Sequence, residues 1–120
     1  MTITMEPPAH ERHVEARGSP VGEALRQTLS VQVIRGPRAA VVVVDGELDV
    51  ATAPTLVDVV DELTNTGTYH RIVLDLTGVR FVDLFGLRTV DALAGPTVVV
   101  SPGEAVRRLR DRMGIARRTA

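Results

Sequence analysis

Asp83 stands immediately ahead of an apolar-periodic segment and is followed by Leu84, Phe85 and Gly86. An aspartate in that place reads as an N-cap, its carboxylate accepting a backbone N–H of the first helical turn and contributing about 1 kcal/mol. Leu84 and Phe85 carry no oxygen nucleophile, so neither can accept a phosphoryl group. Two adjacent large apolar side chains at a loop tip would instead form a small binding hot spot. Neighbouring helical positions point about 100° apart, which predicts that one of the two faces inward. An earlier loop carries Asp49 and Thr52 just before a second helical pattern. Thr52 reads there as the N-cap and Asp49 as a solvated carboxylate.

Other reactive side chains make no constellation. Asp45, Glu47 and Asp49 lack the spacing and the glycine turn of a calcium loop, so no metal site is predicted. His10 and His13 lie near the N-terminus and His70 at a strand entrance, none with a nucleophile or carboxylate placed by spacing. Gly46, Gly78 and Gly86 are isolated and make no phosphate-binding loop. No catalytic residue and no cofactor is predicted. Arg107, Arg108, Arg110, Arg112, Arg117 and Arg118 make the C-terminal segment basic, as a solvated helix face favourable to the helix dipole or as a patch for an acidic partner.

Composition narrows the classes. The 120 residues suit one domain with an ordinary core, and 44% of them are hydrophobic. Tyr69, Phe81 and Phe85 are the whole aromatic set and the formal net charge is -1, which argues against nucleic acid as a partner. The absence of cysteine excludes disulfides, thiolate zinc sites and cysteine nucleophiles. Neither a signal peptide nor an apolar run approaching the roughly 20 residues of a membrane span is visible, so a cytoplasmic protein is expected.

The elements that must position the two loops follow from periodicity. Residues 1–27 lack sustained periodicity and predict a mobile arm, with a short helix at residues 21–27, ahead of one domain at residues 28–120. Leu29, Val31 and Val33 alternate with Ser30, Gln32 and Ile34 as a half-buried strand. Gly36-Pro37 turns the chain into a second strand over residues 39–44, giving an antiparallel hairpin, and residues 45–49 follow as a loop. Leu56, Val59, Val60 and Leu63 draw one helical stripe that Gly67 closes. Ile72, Val73 and Leu74 lead a third strand to residue 76, ended by a Thr77-Gly78 turn. A helix over residues 84–93 buries Leu87 and Val90, and residues 97–100 form a fourth strand. Ser101-Pro102-Gly103-Glu104 reads as a capping box for a last helix with Val106, Leu109 and Met113 on its inner face and Gly114 at its end. Alternating strands and helices after residue 50 imply parallel crossovers. The fold class is α/β, a mixed sheet of an N-terminal hairpin plus parallel crossovers, packed against about three helices.

Four blocks in order carry a resemblance: Gly46-Glu47-Leu48-Asp49 with Thr52-Ala53; residues 72–76 with Gly78-Val79; Asp83 with Gly86-Leu87; and Ser101-Pro102 with Val106, Arg108, Leu109 and Gly114. Over about residues 31–115 the chain resembles the STAS domain of bacterial anti-sigma factor antagonists. The resemblance implies a regulatory binding module, not an enzyme, whose partner is a kinase-type anti-sigma factor. It implies a contact surface built from Asp49, Thr52, Asp83, Leu84, Phe85 and Gly86. In that family the loop reads Asp-Ser-Ser-Gly or a close variant, and the partner phosphorylates the first hydroxyl; here Leu84 occupies that position. The segment between Gly86 and Val98 is also shorter than in typical members by roughly two helical turns. The resemblance thus implies an antagonist-like module, a monomer or weak dimer, that is not switchable at the usual loop position. The alternative it leaves is an accessory or scaffold STAS domain of a transport or multiprotein signalling complex.

Overall fold

The computed structural model describes residues 4–5, 11–15 and 28–114. Strand β3 (Thr28–Arg35) runs antiparallel to β4 (Ala39–Leu48), the Gly36 N–H meeting the Ala39 carbonyl at 2.7 Å where the chain reverses. The helix α1 (Ala53–Asn65) carries the chain to β5 (Arg71–Val82), and α2 (Leu84–Leu93) carries it on to β6 (Val98–Ser101). Both β4–β5 and β5–β6 are parallel, as short helical crossovers require. The last helix, α3 (Gly103–Arg112), packs on β5. Two further short strands, β1 (Thr4–Met5) and β2 (Glu11–Glu15), lie inside the predicted arm and both pair antiparallel with β3. The sheet order is β1-β3-β4-β5-β6, with β2 also on β3. The helix predicted at residues 21–27 lies outside the described residues.

Alternation explains where the core sits. Ala40, Val42, Val44 and Leu48 of β4 and Ile72, Leu74 and Leu76 of β5 point to one face and are buried. Leu56, Val59, Val60 and Leu63 of α1, Leu87 and Val90 of α2 and Val106 of α3 join them in one cluster. Full burial of each such side chain stabilises by roughly 1.5–3 kcal/mol. The predicted stripe of α1 is therefore its core face, and Gly67 follows it with a positive φ of 69°. Gly114 closes α3 in the same way.

Four local expectations fail, three of them because strand pairing overrides a local signal. Thr77-Gly78 is not a turn, since β5 continues through it to Val82. Between Val43 and Leu48, β4 advances five residues while β5 advances seven, from Asp75 to Val82, so β5 carries two extra residues as bulges. Gly78 belongs to the first of them: a Cβ there would stand 1.8 Å from Asp45 Oδ1. The glycine makes room for a neighbouring strand and does not reverse the chain. Residues 45–48 are likewise part of β4 and not a loop. The capping box does not form either. Ser101 is taken up by β6, paired with Asp75, and Pro102 stands at the head of α3 with no side-chain cap. Met113, expected on the inner face, is the C-cap residue and is exposed.

Candidate functional site

Because β4 and β5 are parallel with Leu48 beside Val82, the loops that follow them leave the same end of the sheet. Sites in open parallel sheets collect at these carboxyl ends. The two loops are also tied together. The Asp83 N–H donates to the Leu48 carbonyl at 3.2 Å, so the entrance of α2 hangs on the last residue of β4.

In the first loop Thr52 stands at the N-cap position as expected, but its hydroxyl does not cap, and Asp49 is buried where a solvated carboxylate was expected. Asp49 is only 5% exposed. Its Oδ1 accepts the Ala51 N–H at 3.0 Å and the Thr52 N–H at 3.1 Å, closing the turn that leads into α1. Thr52, at the N-cap position, makes no side-chain cap bond. It is fully buried, donating its hydroxyl to the Glu47 carbonyl at 2.8 Å and accepting the Asp49 N–H at 3.0 Å. The carboxylate and the hydroxyl together brace the turn ahead of α1. Both side chains are turned into the protein, so neither offers a contact surface. Val50 between them is 60% exposed.

In the second loop Asp83 is the N-cap its position predicted. Its backbone is extended, and its Oδ1 accepts the Gly86 N–H at 2.7 Å. Replacing Asp83 with alanine is expected to lower stability by about 1 kcal/mol, measurable as a shifted urea midpoint at unchanged slope. Gly86 is buried because the first turn of α2 lies on β4. A Cβ there would come within 2.4 Å of the Leu48 carbonyl oxygen and 3.0 Å of Val82 Cγ2. Gly86, Leu87 and Val90 thereby define the inward direction of α2. At about 100° per residue, positions 84 and 85 both lie more than roughly 100° from it. Leu84 is 37% and Phe85 49% exposed, so both face outward, against the expectation that one would be buried.

The six predicted residues thus sit in two joined loops but divide by function. Asp49, Thr52, Asp83 and Gly86 build the loops, and Leu84 and Phe85 are exposed on them. Val50 was missed, since a lone valine between turn-forming residues has no periodic partner to mark it. Positions 84–86 carry no side-chain hydroxyl. Thr89, the next hydroxyl along α2, donates to the Phe85 carbonyl at 2.9 Å, and that of Thr77 to Asp75 Oδ1 at 2.7 Å. Among the described residues no group of three His, Cys, Asp or Glu side chains is placed to hold a metal ion. No helix among them is long and apolar enough to cross a membrane.

A mixed sheet with helical crossovers, and a capped helix entrance held by the end of β4, define the class. The chain belongs to the STAS domain family, whose model matches residues 29–119. Among solved structures it is similar to an anti-sigma factor antagonist from Mycobacterium paratuberculosis, with 29% sequence identity and a TM-score of 0.58 over 72% of this chain and 79% of that one. No curated protein matches it.

Proposed function

We propose that the chain is a regulatory binding module of the anti-sigma factor antagonist kind, which sequesters a kinase-type anti-sigma factor through the loops at residues 49–52 and 83–86. It acts by association alone, because the position that would carry the phosphate is Leu84. The observation that carries this reading is the outward pair Leu84 and Phe85 on a helix entrance fixed from three sides, by the Asp83 cap, the Asp83 N–H bond to Leu48 and the close seat of Gly86. A rigid apolar pair loses little entropy on docking. The likeness to an antagonist at 29% identity supports the choice of partner class.

The test is to mix the chain with each kinase-type anti-sigma factor of its source genome and ATP. Complex formation is followed by calorimetry, and phosphate is mapped by mass spectrometry. The expected result is one tight complex whose affinity does not change on incubation with ATP, with no phosphate between residues 77 and 89. Stoichiometric label on Thr77 or Thr89 would refute the non-switchable part. Failure of every kinase to bind, with transporter subunits recovered by affinity capture, would replace the reading by that of an accessory domain.

A further inference from the structure

Among the described residues, the fold sorts the arginines of α3 to different faces. Arg110 turns to α2 and pairs with Asp91. Arg108 and Arg112, four positions apart with Glu104 one turn earlier, share a face that looks across at β5. Strand β6 pairs with β5 only as far as Asp75, and the chain then turns into α3. Beyond that point no strand among the described residues pairs with β5 on its β6 side, and a groove of about 420 Å³ runs between it and α3. Its polar lining includes Thr77, Arg80, Glu104, Arg108 and Arg112, with Phe81 in its wall at 46% exposure.

Three guanidinium groups therefore face one carboxylate in a chain whose overall charge is -1. The Arg108–Glu104 pair, at 2.8 Å with side chains 69% and 71% exposed, is worth little and is easily exchanged for another carboxylate. Among the described residues, Arg80 and Arg112 have no ion pair. We infer that this groove is a docking site for an extended acidic segment of a protein partner, distinct from the loop surface at residues 83–86.

Spacing favours that occupant. Arg108 and Arg112 are separated along the helix by about 6 Å. Alternate side chains of an extended chain are separated by about 6.7 Å. Carboxylates at every second residue of such a segment can thus meet Arg108 and Arg112 in turn, while Arg80 closes from the opposite wall. An apolar side chain between them has Phe81 to rest on. The bulges in β5 spoil a regular hydrogen-bonding edge, so charge, not strand addition, carries the binding. Affinity should fall steeply with salt.

The probe is a fluorescein-labelled peptide alternating glutamate with alanine, titrated with the full chain and followed by anisotropy. Arg80→Glu and the double change Arg108→Glu with Arg112→Glu are each expected to weaken binding about tenfold or more. Arg38→Glu and Arg88→Glu, exposed elsewhere, should leave it within about twofold. A peptide of equal composition with its glutamates in one block should bind less tightly. Amide shift mapping on the unmutated chain should place the peptide on residues 77–82 and on the face of α3 that carries Arg108 and Arg112. Mapping to another surface, or equal losses in the control variants, would overturn the proposal. So would no binding at millimolar peptide, or binding of tripolyphosphate at the groove where the peptide does not bind.

Discussion

Replacing Gly86 with alanine is expected to destabilise the protein by about 3 kcal/mol and to lower the melting midpoint by roughly 10 °C. The sign is diagnostic. A solvent-facing helical glycine changed to alanine gains about 1 kcal/mol from helix propensity. Here the added methyl would stand 2.4 Å from the Leu48 carbonyl oxygen, which is backbone of a paired strand and cannot swing aside. Either α2 moves off the sheet, exposing Leu87 and Val90, or β4 bends and its pairing with Val82 is strained. In both cases the Asp83 N–H bond to the same carbonyl is weakened. Differential scanning calorimetry of Gly86→Ala beside Gly95→Ala, where a Cβ would meet nothing within 4 Å, isolates the effect. Equal midpoints for the two variants would show that α2 does not sit on β4 as described.

Changing Leu84 and Phe85 together to aspartate is expected to cut affinity for the anti-sigma factor by about 100-fold, near 2.7 kcal/mol, while leaving the fold intact. Both side chains point outward, so no core contact is lost. Carboxylates in the first turn of a helix are moreover favoured by its dipole. Stability within about 0.5 kcal/mol of the unchanged chain is therefore expected by urea titration. Loss of binding in a fully folded variant would identify the helix entrance as the contact surface. Unchanged binding would move the interface elsewhere and remove the basis for reading Leu84 as a replaced acceptor.

How much of this could be read from the chain depended on whether the deciding contact was local. The bounds of α2 and its Asp83 cap were legible, since a cap bond spans three residues and the stripe of Leu87 and Val90 lies within one turn. So was the β3–β4 hairpin, whose alternation is complete and whose turn holds Gly36-Pro37. Thr77-Gly78 misled because the glycine answers to Asp45, more than thirty positions away. Ser101 had sound capping chemistry with Glu104, but pairing with Asp75 claimed it first. In the candidate site, Asp49 and Thr52 were correctly joined to the α1 entry, but the burial of Asp49 and the inward turn of the Thr52 hydroxyl were not legible. The Thr52 hydroxyl donates instead to the Glu47 carbonyl at the end of β4, a contact the local pattern does not mark. The company Arg80 keeps with Arg108 and Arg112 was invisible for a similar reason, as it exists only once α3 has folded back along β5.

The two extra residues in β5 also set what the family can vary. They let Val79 and Val82 both reach the interior while Arg80 and Phe81 stand side by side on the outside. Point replacement at those outward positions is cheap and can retune specificity. Deleting a single residue from the same stretch would invert the facing of everything after it and twist the α2 doorway out of line. In this stretch of the strand, diversification is open to chemistry and closed to length.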